Sequence, residues 1–267
     1  MTLQLPQEYA LHTGDGRKRA FCSIGDIPPE MFRLDKNEVH VWKMDISERH
    51  TEAEGLFDVL DDAERERASR FHFQQDRFRF VVARGTLRRL LGCYLLRPPQ
   101  ELRFSYGFFG KPSLAPELAR ERDVRFNVSH SNDQVLLAFS YSREVGIDVE
   151  RIRPEVNIEE IGSRFFSRKE VKELRALPPS IRREAFFHCW SRKEAFIKAV
   201  GKGLSMPLDG FDVSVCPHAL FITLDIPDDT RESERWSLVA LNPGMGYVAA
   251  LAVEGPDWFL KSREIVG

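Results

Sequence analysis

The pattern of apolar and polar positions divides the chain into short strands and amphipathic helices. Strict alternation predicts a strand, and apolar positions spaced three and four residues apart predict a helix. The clearest strand covers residues 39–46, and two long helices cover residues 75–96 and 180–200. Shorter helices are predicted at 61–71 and 168–176, and further strands at 102–106, 124–128, 134–140, 145–151, 211–215, 220–225, 236–241 and 247–253.

These elements occur in a similar order twice along the chain. Aligning Gly92 with Gly201 superimposes the two long helices and favours an internal duplication, although two unrelated amphipathic helices would align about as well. If the duplication holds, the cleft between the two halves is the natural binding site. The predicted organisation is an N-terminal arm of residues 1–38, a first half of residues 39–144 and a second half of residues 145–267.

Composition and charge narrow the class of protein. Lysine and arginine number 39 and aspartate and glutamate number 41, so the formal net charge is -2, which argues against a dedicated nucleic-acid binder. Hydrophobic residues make up 42% of the chain, which is enough for a normal core. The four cysteines form no C-x-x-C pair, and neither a signal-peptide pattern nor an apolar run of membrane-spanning length occurs. We therefore expect a cytoplasmic globular protein that binds neither nucleic acid nor membranes.

Two carboxylates, Asp148 and Glu150, lie two positions apart in the predicted strand 145–151. Residues two apart share one face of a strand, roughly 6.5–7 Å from each other, so these two side chains point the same way. Each raises the pKa of the other unless a cation lies between them, and paired carboxylates suit magnesium. The alternative is the solvated outer face of an edge strand, which is the commoner setting for charged residues.

A third acidic residue, Glu194, interrupts the apolar face of the second long helix, where Trp190 and Ile197 share its stripe. Lys198 lies four residues further on, and an exposed ion pair between the two is worth only ~0.3–0.5 kcal/mol. In the functional interpretation, Glu194 is a third metal ligand, and Lys193 and Lys198 contact phosphate oxygens. Spacing alone does not distinguish the two interpretations.

Small polar and basic residues mark three further segments. Ser129 and His130 end a predicted strand with groups that suit a phosphate, although a single histidine there is more often a surface group. Lys111 lies in a Gly-Lys-Pro turn, which alone indicates only a loop. Arg67 lies on the first predicted helix, among acidic residues that would pair with it on a solvated face.

Taken in this order, the segments resemble the 4′-phosphopantetheinyl transferases, specifically the larger, surfactin-synthetase type. The resemblance rests above all on GIDVE, which begins at Gly146, followed at this distance by WSRKEAFIKAVGKGL, which begins at Trp190. Supporting runs are Gly110-Lys111-Pro112, Phe126 to Ser131 and Arg164-Phe165-Phe166-Ser167, so that the resemblance covers residues 61 to about 215.

The resemblance implies an α+β (α/β) fold with two halves related by a pseudo-two-fold axis. Each half would pack helices on a small, mainly antiparallel sheet, with coenzyme A as co-substrate in the cleft between them. The implied reaction transfers the phosphopantetheine arm of coenzyme A to a serine of an apo acyl or peptidyl carrier protein and releases 3′,5′-ADP. The carrier would belong to a fatty-acid, polyketide or nonribosomal-peptide synthase. Because both halves lie in one chain, we expect a monomer.

The resemblance also implies a metal site and a catalytic set. Asp148, Glu150 and Glu194 would hold Mg²⁺, or Mn²⁺, against the pyrophosphate. Lys198 would contact the phosphates, with Lys193 beside it, so that Glu194, Lys198 and Asp148 form the catalytic set. The base that accepts the serine proton is either Glu194 or a metal-bound water next to it.

By the same resemblance, Lys111, Ser129 and His130 would hold the nucleotide end of coenzyme A, including its 3′-phosphate. Arg67 lies where the family often places a further basic contact to phosphate. The family often has a lysine three residues before that position, where this chain has Glu64, and an acid there would repel a phosphate. We therefore expect no phosphate contact at residue 64.

Two other functions use the same residues. A magnesium-dependent hydrolase of nucleotide pyrophosphates would cleave coenzyme A without a carrier protein. A docking module without turnover would bind the carrier and modify nothing, although such a module has no need of the three acids. For the carrier surface we expect the mixed basic and apolar segment 151–177, because carrier proteins usually present an acidic helix.

Overall fold

The strands form two four-stranded sheets and two short two-stranded sheets. The computed structural model describes residues 27–47, 49–219, 221–227 and 229–265, so residues 1–26 of the predicted arm lie outside the described residues. Within these ranges the strands are β1 (Glu38–Asp45), β2 (Phe104–Tyr106), β3 (Pro112–Leu114), β4 (Val124–Ser131), β5 (Gln134–Tyr141), β6 (Val145–Arg151), β7 (Asp212–Val213), β8 (Phe221–Ile222), β9 (Leu224–Asp225), β10 (Trp236–Leu241), β11 (Tyr247–Glu254) and β12 (Phe259–Ile265).

The helices include one long member in each half. The described α-helices are α1 (Ala53–Phe57), α2 (Asp62–Ser69), α3 (Gln74–Leu95), α4 (Pro116–Glu121), α5 (Ile158–Phe165), α6 (Arg168–Ala176), α7 (Pro179–Val200) and α8 (Thr230–Glu234). The long helices α3 and α7 have 22 residues each and end at a residue in the left-handed conformation, Leu96 and Gly201 respectively. Glycine adopts this conformation without strain and commonly ends helices.

The two sheets face each other and the long helices cover their outer faces. The strand orders are β12-β1-β5-β4 in the first sheet and β6-β11-β10-β8 in the second. Between the sheets, Val41 and Leu136 pack with Ile147 and Leu251 in one buried cluster, while α3 and α7 each pack on the far side of one sheet. The result is a four-layer α+β arrangement of two similar halves, which confirms the predicted fold class.

The sheets meet where the edge strands β4 and β6 run side by side. Within its sheet β6 pairs only with β11, so the backbone N–H groups along its other edge need acceptors from elsewhere. Side chains of β4 supply them at every second residue. The N–H groups of Ile147, Val149 and Arg151 donate to Asn127 Oδ1, Ser129 Oγ and Ser131 Oγ, at 2.9, 3.3 and 3.0 Å. We call this contact between β4 and β6 the seam.

Helix α7 packs unusually close to β6 because Gly146 has no side chain. A Cβ atom at residue 146 would lie 2.1 Å from the carbonyl oxygen of Ala195 and 2.3 Å from the backbone nitrogen of Ala199. Neither backbone atom can move without shifting the helix. The close approach brings the part of α7 that carries Glu194 and Lys198 against the strand that carries Asp148.

Lys193 holds α7 on the side away from this strand. Its side chain is fully buried, forms an ion pair of 2.8 Å with Glu170 of α6, and donates to the carbonyl oxygens of Leu208 and Phe211. Burial raises the pKa of Glu170, and the Lys193 charge opposes that rise. All three ammonium protons therefore have partners inside the protein. The structure does not support the predicted contact between Lys193 and phosphate, and we remove Lys193 from the candidate set.

The last strand, β12, belongs to the sheet of the first half. It runs parallel to β1, and the buried guanidinium of Arg49 donates to the carbonyl oxygen of Ile265 at 2.8 Å. The predicted second half, residues 145–267, therefore contributes a strand to the other half. The sequence pattern did not predict this strand, because an edge strand that is largely exposed has no regular alternation of apolar and polar residues.

Replacing Lys193 by methionine tests its structural role. K193M leaves the Glu170 carboxylate buried without a counterion, so we expect the free energy of unfolding in urea to fall by about 3–5 kcal/mol. Lys169→Met on α6 is the control, because the Lys169 side chain is 58% exposed and its ion pairs contribute at most about 1 kcal/mol. A K193M variant that is as stable as the wild type, but binds phosphate-containing ligands more weakly, would return Lys193 to the binding site.

Candidate active site

The centre of the site is Asp148, a carboxylate that is only 3% exposed on β6. Its Oδ1 atom accepts hydrogen bonds from Lys198 Nζ at 2.6 Å and from Ser129 Oγ at 3.0 Å. Its Oδ2 atom is buried and has no hydrogen-bond partner among the described residues. Buried polar atoms are nearly always hydrogen-bonded, so an unpartnered carboxylate oxygen marks a place where a cation fits.

Glu150 and Glu194 lie close enough to Asp148 for the three negative charges to interact. Burial raises the pKa of Glu150, and the Asp148 charge raises it further. Burial also raises the pKa of Glu194; Lys198 opposes this rise, while Asp148 and Glu150 add to it. Ser131 Oγ donates to Glu150 Oε2 at 3.1 Å, whereas the Glu194 carboxylate has no hydrogen-bond partner among the described residues. The charges of the three carboxylates thus interact, and their role as joint metal ligands stays a prediction.

Lys198 supplies the positive charge of this cluster. Its ammonium group forms the ion pair with Asp148, rather than the alternative pair with Glu194, and also donates to Ser129 Oγ at 3.0 Å. The Lys198 side chain remains 29% exposed. A negatively charged group in the cleft can therefore reach the ammonium group from the solvent side.

Ser129 and His130 lie next to each other on β4 but face different surroundings. Ser129 is 5% exposed and its hydroxyl group is held among Asp148, Lys198 and the seam. His130 lies on the exposed side of the strand. Partial loss of hydration, and then the charges of Lys198 and Arg79, lower its pKa. The structure therefore leaves His130 available to a ligand, whereas Ser129 belongs to the carboxylate cluster.

A cavity of about 250 Å³, which we call the cleft, lies between the two halves. Val200 and Gly201 at the end of α7 line it, whereas the three carboxylates of the cluster are not among its lining residues. Its walls include the Gly107–Ser113 hairpin region and β4 from the first half, and the end of α7 from the second. Lys111 lines it, but the Lys111 ammonium donates to Glu144 Oε2 at 2.8 Å and to the Ala199 carbonyl oxygen at 2.8 Å. Burial lowers the Lys111 pKa, and Glu144 opposes that shift. Lys111 thus borders the cleft while binding the C-terminal end of α7.

Arg67 and Glu64 lie on α2, outside the carboxylate cluster. Arg67 is exposed and its guanidinium lies over the Phe80 ring, 5.2 Å from the ring centre. Glu64 is 4% exposed and accepts hydrogen bonds from Arg84 and Arg88 of α3. The acid that departs from the family pattern at residue 64 therefore serves the packing of α2 on α3. Arg67 remains a proposed phosphate contact that no interaction in the structure tests.

The carboxylates of Asp148, Glu150 and Glu194 are the type of ligand that suits a magnesium ion, although they do not form a complete site. Among the residues that the structure describes, no three acidic, histidine or cysteine side chains are close enough to share a metal ion as they stand. Carboxylate oxygens are nevertheless the ligands that Mg²⁺ prefers, and this ion usually keeps waters and takes substrate phosphates as further ligands. The unpartnered Oδ2 atom of Asp148 is therefore the first ligand that we would assign, with Glu150 and Glu194 beside it.

Asn127 and Ser131 lie in the run Phe126 to Ser131, but the sequence pattern did not predict a role for them. Both point into the seam, as Ser129 does, because alternate residues of a strand share one face. The available signal was the polar series at residues 127, 129 and 131, which recurs at every second residue as the carboxylates at 148 and 150 do.

Among the described residues, no helix has the length and apolar character of a membrane span.

Two family models together match most of the described residues of this chain. The family model for the 4'-phosphopantetheinyl transferase superfamily matches residues 144–252, and that for the 4'-phosphopantetheinyl transferase N-terminal region matches residues 47–142. Together they include all the candidate residues discussed above. They meet where the predicted first and second halves meet.

Two curated relatives match over most of their length. The 4'-phosphopantetheinyl transferase HetI of Nostoc sp. (strain PCC 7120) is 36% identical over 231 residues, which is 86% of this chain and 93% of that protein. The 4'-phosphopantetheinyl transferase Sfp of Bacillus subtilis is 35% identical over 207 residues, covering 78% of this chain and 88% of Sfp. The chain therefore belongs to the 4'-phosphopantetheinyl transferase superfamily, as an enzyme of the Sfp-like type.

Proposed function

We propose that this enzyme transfers the 4′-phosphopantetheine arm of coenzyme A to the acceptor serine of an apo acyl or peptidyl carrier protein, with release of 3′,5′-ADP. The reaction depends on magnesium held by Asp148, Glu150 and Glu194. The observation that carries this proposal is the cluster at the seam, in which a buried Asp148 lies with the half-buried Glu150, Glu194 and Lys198. One oxygen of Asp148 has no hydrogen-bond partner among the described residues. The cleft takes both walls from this chain, and we propose that the enzyme acts as a monomer.

The cluster is suited to cleaving a pyrophosphate bond. Bound at these carboxylates, magnesium would offset the negative charge of the attacked and leaving phosphates. Lys198 adds a positive charge that is part-exposed to the cleft and can donate hydrogen bonds to phosphate oxygens. His130 and Arg67 are exposed groups that can meet the 3′-phosphate, and Lys111 keeps the cleft wall joined to the end of α7.

Glu194 is the carboxylate best placed to act on the attacking serine. Its oxygens accept no hydrogen bonds from the described residues, and burial raises its pKa as long as no cation lies beside it. A general base works best when its pKa lies near the working pH. Whether Glu194 holds the metal or accepts the serine proton, the role requires its negative charge.

The direct test is intact-mass spectrometry of an apo carrier protein incubated with this enzyme, coenzyme A and magnesium. We expect the carrier to gain the mass of one phosphopantetheine group, and we expect chelator to abolish the gain. A carrier with alanine at the acceptor serine is the control. Cleavage of coenzyme A while the carrier stays unmodified would instead identify a pyrophosphate hydrolase. Carrier binding without any product, at saturating magnesium, would identify a docking module.

Glu194→Gln tests the role of the third carboxylate. The change keeps the size of the side chain and removes its charge, so we expect kcat for transfer to fall by roughly 10²-fold or more while the thermal unfolding temperature stays near that of the wild type. Glu184→Gln on the same helix is the matched control, because the Glu184 side chain is 46% exposed and makes only a 3.8 Å contact with His188. A folded E194Q enzyme with full activity would exclude Glu194 from both roles.

For the carrier-binding surface we propose residues 151–177. Arg153, Arg164 and Arg168 are exposed there, and the Arg164 guanidinium lies 5.1 Å from the centre of the half-buried Phe165 ring. Phe166, by contrast, is 4% exposed and belongs to the core. Exposed positive charge around an apolar contact suits an acidic helix, since opposite charges steer association.

Reversing two of these charges tests the surface. For Arg153→Glu/Arg168→Glu we expect KM for the carrier to rise roughly tenfold while KM for coenzyme A is unchanged, because rim charges act mainly on association. Arg120→Glu/Arg231→Glu is the control, since both side chains are exposed and lie on other elements, α4 and α8. Equal KM values for the carrier in the two double variants would show that this surface does not bind the carrier.

A further inference from the structure

Ser129 and Ser131 of β4 face Asp148 and Glu150 of β6 in matching register. Ser129 Oγ donates to Asp148 Oδ1 at 3.0 Å, and Ser131 Oγ donates to Glu150 Oε2 at 3.1 Å. Each of these hydroxyl oxygens also accepts the backbone N–H of the residue that follows the carboxylate, at 3.3 and 3.0 Å. Each serine therefore fixes the backbone and the side chain of the same acidic segment.

The hydrogen-bonding capacity of Ser129 is fully used in this arrangement. A serine hydroxyl has one hydrogen to donate and two lone pairs that accept. The hydrogen goes to Asp148, and the lone pairs accept from the Val149 N–H and from Lys198 Nζ. With 5% of the residue exposed, no capacity remains for a phosphate oxygen. The hydroxyl group of Ser129 therefore has no hydrogen bond left for the nucleotide, which the resemblance implied that Ser129 would hold.

The hydrogen bonds determine which oxygen of Asp148 is available. Ser129 and Lys198 both donate to Oδ1, so the carboxylate plane is held with Oδ2 as the oxygen that has no partner among the described residues. Ser131 likewise engages Oε2 of Glu150. A carboxylate that is already oriented loses less conformational freedom when it binds a cation, which strengthens binding.

We propose that Ser129 and Ser131 are positioning residues, whose hydroxyl groups orient the carboxylates of Asp148 and Glu150 toward the metal ion. This inference rests on the proposed function, because it assumes that these carboxylates bind a divalent cation. It assigns the hydroxyl groups of the two serines to the metal site.

The experiment measures the binding of Mn²⁺ by electron paramagnetic resonance, at saturating coenzyme A, alongside the binding of coenzyme A by calorimetry in the presence of chelator. We expect Ser129→Ala and Ser131→Ala to weaken Mn²⁺ binding roughly 10- to 100-fold. We expect their affinity for coenzyme A without metal to stay at the wild-type value. Ser131→Thr keeps a hydroxyl group and should restore Mn²⁺ binding.

Ser140→Ala is the matched control. Ser140 is a buried serine on the neighbouring strand β5, and its hydroxyl donates to the Arg143 carbonyl oxygen at 2.6 Å, away from the carboxylates. We expect this variant to be less stable than the wild type but to bind Mn²⁺ with the wild-type affinity. Ser131 is partly exposed, so we expect Ser131→Ala to fold even if Ser129→Ala does not, and Ser131→Ala then provides the test.

Three outcomes would contradict the inference, and they are distinguishable. Wild-type Mn²⁺ affinity in both serine variants would overturn the inference alone. A loss of coenzyme A affinity without metal in Ser129→Ala would make Ser129 a nucleotide contact, as the resemblance implied. Absence of Mn²⁺ binding by the wild-type enzyme would overturn the proposed metal centre, and the inference together with it.

Discussion

The site depends on the backbone N–H groups along the edge of β6 that has no neighbouring strand in its sheet. These groups need hydrogen-bond acceptors from outside the sheet. A buried amide without an acceptor costs about 1–3 kcal/mol, so an edge strand inside the protein must find partners. Side chains of β4 provide them at the seam, through Asn127, Ser129 and Ser131. Because a hydroxyl group can donate while it accepts, the same serine atoms also reach the carboxylates of β6. The join between the halves and the acidic cluster thus share atoms, which explains why the site lies at this boundary.

Helix α7 illustrates how neighbouring residues on one helix serve different purposes. Successive residues point about 100° apart around the axis. Arg192 is fully buried and donates to the carbonyl oxygens of Ser214 and Cys216, Lys193 joins α6, and Glu194 faces the carboxylate cluster. Only Glu194 can take part in chemistry at the cluster, although all three are charged. The close packing at Gly146 fixes this orientation, since rotation of the helix would replace Ala195 and Ala199 at this contact by larger side chains.

The sequence predicted the elements well where periodicity was long and contacts were local. The strand at Val145–Arg151, the helix at Arg168–Ala176 and the strand at Trp236–Leu241 have the predicted bounds, and the charges of the three predicted carboxylates interact. The ion pair of Lys193 was not predictable, because its partner, Glu170, lies on another helix and no local spacing indicates it. The partners of the Ser129 hydroxyl group were not predictable for the same reason, because they lie on β6 and α7. The exposed strand β12 has too little alternation to be recognised, and its partner β1 lies more than 200 residues away in the chain.

The position of β12 has a consequence for how the protein is made. The ribosome synthesises β1, β4 and β5 well before β12, the strand that completes their sheet, because most of the predicted second half lies between them. Until then β1 has an open edge, and open edges are prone to pair with other chains. Contacts between distant parts of a chain also form slowly, because a long loop must close first. The Arg49–Ile265 hydrogen bond can therefore form only after residue 265 has been synthesised, so the first sheet closes well after its other strands have been made.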